Sequence, residues 1–549
     1  MGIPSFYKHL IQTITGVVSK TRAPPAVFAL DLNCAIYHCV RRVQKRTAYH
    51  PDSRSIWEGD LIREVITYVQ QMERVVKPSE TLYIAVDGVA PMAKIKQQRM
   101  RRFKSAVVAE EESRIRAEAR NETYIPQPRW DTNAITPGTQ FMSALATALR
   151  TFARTMPSKI LVSPADEPGE GEQKIMEYVR KHTPTDVVVY GLDADLIVLS
   201  LWASATTPTR IDLFREEVEF NGAIKTNPYD EEQFLYMNIE HLATALFNKY
   251  SRGIDQPQTQ FITDFVALMS LLGNDFVPHG MTLKIKDDGV PKTLGYYRDA
   301  LTQPLLLLRS EEDGNNTWRY NPAALKELFA LFAAEEPTAL LQSVSKKLEA
   351  RVGATAGKSA EEKALAAYND LPVAWAEDEC LIDRVRLPTH EYPQKMLKPG
   401  WRDVYDEKAL FGASPAQASS AYLDALAWTL AYYSGEKVDL RWYYPWFLPP
   451  RHESILAALK TATLEPPLCK PREAPITPHE QLAMVLPQTS FHMLPSEYAK
   501  LPGRRAHVFP KQWGVYSFGR RFLWECEPLI PLIQPSQIKE WMEELYETA

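Results

Sequence analysis

The chain has 549 residues, of which 45% are apolar, 24% charged and 10% aromatic. That balance is globular and sets aside disordered, collagen-like and coiled-coil classes, and the length suggests about 3 to 4 domain-sized units. Lys and Arg total 63 against 68 Asp and Glu, a net charge of −5, so any nucleic-acid contact must be local rather than spread over a basic surface.

Five scattered cysteines without a Cys-x-x-Cys pair argue against a disulfide framework or a structural zinc site and fit a reducing compartment. The first twenty residues lack the continuous apolar stretch of a secretory signal. Phe6 breaks the myristoylation pattern that Gly2 would begin. The most apolar run, FITDFVALMSLLG, is short and contains Asp264, so no membrane span is expected. These features together predict a cytoplasmic protein, with the nucleus as the alternative.

Residues 1–300 alternate β-rich apolar runs with helical patterns. The runs are AVFALDLN (26–33), TLYIAVDG (81–88), KILVSPADE (159–167) and DVVVYGLDADLIVLS (186–200). Near-continuous apolar strands separated by helices predict an α/β fold, a mostly parallel sheet flanked by helices on both faces. Residues 301–365 read as a helical connector, with PAALKELFALFAAEE and LLQSVSKKLEARV rich in helix formers and RVGATAGKSA (351–360) as an exposed link. Residues 366–549 form a second segment, helical and rich in Pro and aromatics.

Carboxylates fall at the ends of the predicted strands. Asp31 closes the first and Asp87 the second. Glu170 and Glu172 follow the third, and Asp193 and Asp195 the fourth. Asp275 comes later, in LLGNDFVPH. Parallel strands deliver such residues to one sheet edge, where ligands of open α/β sheets bind. Each acid alone reads equally well as a helix cap or a first-turn dipole partner. Seven on one edge would repel strongly unless cations neutralise them. All donors are oxygen, which favours Mg²⁺ over Zn²⁺, with Mn²⁺ as the alternative. Two such ions about 3.5–4 Å apart form a phosphodiester-cleaving clamp.

Behind Asp87, the segment Lys94–Lys104 holds six cations and no acid. With Pro91 at the first helical position, Lys94, Gln98, Arg101 and Arg102 share one helix face. That face suits a terminal phosphate; a solvated basic helix is the plain alternative. The stretch 424–450 is dense in aromatics, read as interdomain packing or as rings that stack on bases. Tyr37 is a second stacking candidate near the acids.

These motifs resemble the XRN-type 5′→3′ exoribonucleases. ALDLN, AVDGVAPMAKIKQQRMRRF, ITPGTQFM, EPGEGEQKIMEYVR, YGLDADLIVLS, LFREEVEF and LLGNDFVPH occur in the family's order after MGIPSFYKHL. YLDALAWTLAYYSG, RWYYPWFLPP and PHEQLAMVLPQTSFHMLP continue the match. The resemblance implies a PIN- or flap-nuclease-like core. It also implies a monomeric, Mg²⁺-dependent enzyme with two ions that degrades single-stranded RNA from a 5′-monophosphate end.

By the same resemblance the seven acids are the catalytic and metal residues, and Lys94, Gln98, Arg101 and Arg102 grip the 5′ phosphate. Tyr37 and Trp442 sandwich bases, with Trp428 the alternative tryptophan. Two departures stand out: the family has His where this chain has Tyr37, with His38 one position later, and Gly where it has Cys34. The chain ends near the limit of the family's shared core, implying a minimal form. A structure-specific DNA flap nuclease and an inactive RNA-binding scaffold are the competing readings.

Overall fold

The computed structural model describes residues 6–191, 193–218, 224–226, 232–251, 256–311, 316–349, 358–375, 377–386, 393–469 and 474–547. The opening MGIPS, Leu192 and most of the expected link at 351–360 lie outside them.

Seven strands form one sheet: β1 (Val18–Ser19), β2 (Val27–Asp31), β3 (Thr81–Ala85), β4 (Ile160–Ser163), β5 (Asp186–Tyr190), β6 (Arg210–Glu216) and β7 (Phe234–Asn238). Their order is β1-β7-β6-β5-β2-β3-β4. The five strands β6, β5, β2, β3 and β4 run parallel, while β7 and β1 add an antiparallel flank. The fold class is therefore mixed α/β with a mostly parallel central sheet, as the sequence suggested.

The burial pattern explains why the strands read as continuous apolar runs. In β2, Val27 and Ala29 enter one core cluster while Phe28 and Leu30 enter another on the opposite face. Val187 and Val189 of β5 divide from Val188 and Tyr190 in the same way. Side chains alternate across a sheet, so burial on both faces demands apolar residues at every position.

The helices that matter for the site are α1 (Phe6–Thr13), α2 (Leu32–Arg46), α3 (Arg54–Val76), α4 (Met92–Ala119), α5 (Gln140–Thr155), α6 (Gly171–His182), α7 (Ala194–Thr206), α8 (Ile239–Tyr250) and α9 (Gln258–Leu271). The fourth apolar run is not one strand. It breaks after Tyr190, and ADLIVLS winds into α7 with Asp193 as its N-cap residue and Asp195 in its first turn. α4 starts one residue later than its proline implied: Pro91 is the N-cap residue, not the first helical one.

The 301–365 stretch is not purely helical. A hairpin, Leu306–Ser310 with Asn316–Tyr320, precedes the long helix Pro322–Leu348. In the remaining chain helices are the main regular elements among the described residues, with two small antiparallel strand pairs, 382–385 with 394–397 and 514–516 with 527–529. Its helix Pro415–Ser434 packs on α7 and α9, and its helix Pro478–Val485 packs on α4. Those two contacts bring the second segment against the carboxyl edge of the sheet. No helix among the described residues is long and apolar enough to cross a membrane.

Candidate active site

The parallel register sets the acids side by side. Asp31 pairs with Ala85 across β2 and β3, so Asp31 and the loop carrying Asp87 leave the sheet together. Asp87 is fixed from two sides: Asn33 Oδ1 accepts its backbone N–H at 3.0 Å, and its own Oδ1 accepts the Gly171 N–H at 2.7 Å. The second bond occupies one of the free N–H groups that open α6. Glu170 is the N-cap residue of α6 and Glu172 lies in its first turn.

Close approach makes glycine necessary at two positions here. A β-carbon at Gly88 would sit 1.7 Å from the Glu167 carbonyl oxygen, and one at Gly171 would sit 2.7 Å from Asp31 Oδ1. The EPGEGE loop is thus pressed directly against the β2 acid.

One cavity of about 100 Å³ is lined by Asp31, Asp87, Glu170 and Asp193 together with Lys94, Gln98, Arg101, Arg102 and Tyr37. Residues from four strand ends and two helices meet there. Glu172, Asp195 and Asp275 stand behind this lining, within electrostatic reach of Lys94. All seven acids therefore gather at one edge.

Crowding marks their protonation. Burial first, then the charges of Asp87 and Asp193, hold the Asp31 carboxyl well above the usual carboxylate range. Burial with Glu170, Asp195 and Asp31 nearby does the same to Glu172, against the pull of Lys94. Asp195 is pushed up to about 7 by burial and by Asp275. Glu170 is raised by burial, against the opposing ammonium of Lys94. Asp275 goes the other way: burial would raise it, but Lys94 holds it at about 2.

Lys94 is the counterion. Its Nζ lies 2.8 Å from Glu170 Oε2 and 2.7 Å from Asp275 Oδ2. It lines the cavity with Gln98, Arg101 and Arg102, yet its charge is spent on the acids. Among the described residues no three carboxylates already stand as a ready-made ligand set for a metal ion. Asp31 Oδ1 and Asp195 Oδ1 are buried without a hydrogen-bond partner, which leaves lone pairs for a hard cation. The all-oxygen donors and the excess of negative charge fit Mg²⁺ or Mn²⁺.

The basic helix is not a solvated face. Arg99 is buried and donates to the carbonyls of Pro531, Met484 and Val508, pinning α4 to the second segment. Arg102 is 8% exposed, burial pulls it down to about 10, and its Nη1 is buried without a partner. A buried guanidinium with a free donor beside an open cavity is suited to an anion. Gln98 Oε1 accepts from Gln481 at 3.3 Å, and Gln481 Oε1 accepts from the Ala90 N–H at 2.9 Å, so PHEQLAM buttresses the cavity wall.

The aromatics divide. Tyr37, 36% exposed, lines the cavity. Trp442 is not brought there: it stacks on Trp428 at 6.0 Å. Trp428 is wholly buried and donates its indole N–H to the Asp439 carbonyl at 2.8 Å, which excludes it as a platform for a base. His38 is buried on Glu232 at 2.6 Å, away from a stacking role. Sequence reading missed Tyr432, whose hydroxyl donates to Glu170 Oε1 at 2.9 Å, and Tyr433, buried behind Asp195 and Glu172. Their signal, the doubled tyrosine of LAYYSG, was absorbed into general aromatic packing. Asn33 was missed as well, although it lies only two residues beyond Asp31, in the first turn of α2.

This arrangement defines a mixed α/β protein of the PIN-like kind, with an acid-lined cavity at the carboxyl edge of its sheet and a helical segment closing over it. Residues 1–217 match the family profile described as XRN 5'-3' exonuclease N-terminus, and residues 307–549 match the one described as Xrn1 helical domain. The chain belongs to the XRN 5′→3′ exonuclease family.

Relatives match along its whole length. The chain is similar to 5'-3' exoribonuclease 1 of Homo sapiens, 29% identical over 608 residues covering 99% of this chain and 34% of that protein. It is similar to 5'-3' exoribonuclease 2 of Yarrowia lipolytica, 24% identical, covering 100% of this chain and 69% of that protein. It also resembles 5'-3' exoribonuclease 1 of Saccharomyces cerevisiae, 30% identical over 326 residues, 55% of this chain and 21% of that protein. The chain thus spans about a third of the human relative's length and about two thirds of the Yarrowia relative's.

Proposed function

We propose that this chain is a divalent-ion-dependent 5′→3′ exoribonuclease that releases mononucleotides, in succession, from single-stranded RNA bearing a 5′ monophosphate. The observation that carries the reading is the single cavity in which four strand-edge acids face Lys94, Gln98, Arg101 and Arg102 on one side of α4. The relatives' names, 5'-3' exoribonuclease 1 and 2, support the 5′→3′ exoribonuclease part of that reading.

Arg101, Arg102 and Gln98 bind and orient the terminal phosphate by charge-assisted donors. The converging donors on α4 opposite the acid wall suit a single terminal phosphate better than a triphosphate or cap. The carboxylates of Asp31, Asp87, Glu170, Glu172, Asp193, Asp195 and Asp275 would hold two Mg²⁺ ions. Such ions, when bound, activate water and stabilise the leaving 3′ oxygen. Lys94 aims both Glu170 and Asp275 and favours the ionised form of Asp275, and Tyr432 also holds Glu170. Tyr37 at the rim stacks on a base without choosing among bases, which suits a sequence-independent enzyme.

The test pairs matched RNAs bearing 5′-monophosphate, 5′-triphosphate or 5′-hydroxyl ends with a flap DNA, in Mg²⁺. Mononucleotide release from the monophosphate RNA alone, lost in Asp193→Ala/Asp195→Ala, supports the proposal. Internal cuts in the flap DNA would transfer the site to a DNA nuclease, and RNA binding without product would make the chain a scaffold.

A further inference from the structure

A second cavity, about 300 Å³, lies on the adjoining face of α4. Lys94, Gln98, Arg101 and Arg102 face the candidate active site, whereas Lys96, Gln97, Met100 and Lys104 line this one. Asp275 forms the partition: one carboxylate oxygen takes Lys94 and the other takes Gln97 Nε2 at 2.8 Å. The loop after α9 and the segment around 520–527 complete the walls.

The lining carries more positive charge than it neutralises. Lys96 donates to the Tyr444 and Trp446 carbonyls at 2.7 and 3.0 Å. Lys104 donates to the Trp524 and Cys526 carbonyls at 3.0 and 2.6 Å. Lys284 reaches the Gly519 carbonyl at 3.4 Å. Arg520 donates to the Phe447 carbonyl and to His279 Nε2, each at 2.9 Å. None of these four cations has a salt bridge to a carboxylate among the described residues. Of the acids in the lining, Asp275 is engaged by Lys94 and Gln97, and Glu525 by Lys286, which leaves Glu527.

Burial and the neighbouring charges of Arg520 and Lys286 pull Lys284 down to about 8, and burial pulls Lys96 to about 7. Both shifts report ammonium groups taken out of water, with Glu525, Asp287 and Glu527 offsetting only part of the burial. Arg520 is 7% exposed, and its Nε is buried without a partner. Beside these groups stand the rings of Trp446, Phe447 and Trp524. Trp524 is 57% exposed and already stacked on Phe522 at 5.6 Å and 11°.

We propose that this cavity is a second nucleotide-binding site that takes a nucleoside 5′-monophosphate, its phosphate at Lys284 and Arg520 and its base against Trp524. A metal cation is repelled by the positive lining, Arg520 and Lys104 above all, and a purely apolar ligand leaves that charge uncompensated. An anion joined to a planar ring satisfies both halves of the lining. The same chemistry is offered by free nucleotide from solution and by nucleotide released in the neighbouring cavity. Binding itself does not depend on the proposed nuclease activity.

The experiment is calorimetric titration of the Arg101→Ala protein with AMP in chelator, so that the first phosphate pocket is weakened and no RNA is present. One AMP should still bind. Adding Lys284→Met should weaken AMP by roughly tenfold or more, the scale of one charge-assisted hydrogen bond. Trp524→Ala, at an exposed position, should weaken AMP and adenosine by about tenfold through lost stacking while leaving inorganic phosphate unchanged. Melting curves confirm that each variant is folded. Slowed release of product from labelled RNA in Lys284→Met would assign the nucleotide's source to the chain's own reaction, and unchanged release to solution. No AMP binding at millimolar concentration in Arg101→Ala, or an unchanged affinity in both Lys284→Met and Trp524→Ala, would overturn the proposal.

Discussion

Replacing Gly171 with alanine tests how closely the loop before α6 and the acid at the end of β2 meet. Gly171 opens α6 with helical backbone, and its N–H, which alanine keeps, is bonded to Asp87. The added methyl would lie 2.7 Å from Asp31 Oδ1 and 3.4 Å from the Ala85 carbonyl oxygen. An ordinary C···O contact is about 3.3 Å, so the Asp31 carboxylate must retreat by roughly 0.6 Å. Asp31 is 7% exposed at a strand end, and the retreat is set by a rigid sheet rather than a loose side chain.

A misplacement of about 1 Å at reacting groups costs on the order of 100-fold in rate, so turnover should fall roughly ten- to a hundredfold. Stability should fall modestly, because the methyl presses on a buried carboxylate and alanine's better helix propensity offsets at most about 1 kcal/mol of that cost. The assay is mononucleotide release from 5′-monophosphate RNA at saturating Mg²⁺, beside urea denaturation. Turnover equal to the parent protein's in a folded variant would refute the claim that Asp31 and the EPGEGE loop act at one centre.

Lys94→Ala leaves Glu170 and Asp275 facing each other without their ammonium. Losing one partner of a buried pair costs about 3–5 kcal/mol, so denaturation in chelator should show that loss and added Mg²⁺ should recover part of it. Stability against pH gives a second check. Burial and neighbouring charge raise Asp31, Glu172 and Asp195, the last to about 7. Raised carboxyls contribute stability that is fully present below their unfolded values and is lost as pH rises through the folded ones. The melting temperature in chelator should therefore fall between about pH 4 and pH 7, and Mg²⁺ should flatten that fall. Asp275, held at about 2 by Lys94 against burial, has the opposite sign, and its contribution is lost only as pH drops toward 2. A melting temperature indifferent to pH and to Mg²⁺ would contradict both statements. Tyr37→Ala should weaken RNA binding by about 1–3 kcal/mol at unchanged melting temperature. Trp442→Ala should instead lower the melting temperature, since that ring stacks on Trp428.

Much of this site was legible because its information is local. A run such as AVFALD declares a strand buried on both faces, and an acid closing it must sit at the sheet's carboxyl edge. The helical spacing of Lys94, Gln98, Arg101 and Arg102 likewise fixes a shared face, and the structure gives that face to one cavity. What escaped depends on contacts between distant segments. Tyr432 lies 262 positions from the Glu170 it bonds, and Gln481 lies 383 from Gln98. Nothing in LAYYSG or PHEQLAM marks those residues as partners of the acids or the basic helix. The sequence places Asp193 and Asp195 after the fourth strand, but the residue at which DVVVYGLDADLIVLS turns from strand to helix stays unmarked, for a different reason. Apolar helices and apolar strands share a composition when both are buried, and only the end of the strand at Tyr190 and the capping position of Asp193 distinguish them. Trp442, read as a stacking ring, lies instead against Trp428, a neighbour the run of aromatics could not single out.

Anomalous diffraction from crystals soaked in Mn²⁺ would test most directly whether the gathered acids hold divalent ions. Peaks are predicted among the carboxylates of Asp31, Asp87, Glu170, Glu172, Asp193, Asp195 and Asp275, with the Lys94 ammonium released from at least one of its two acids. Peaks confined to other surfaces, or none while Lys94 still bridges Glu170 and Asp275, would contradict the account.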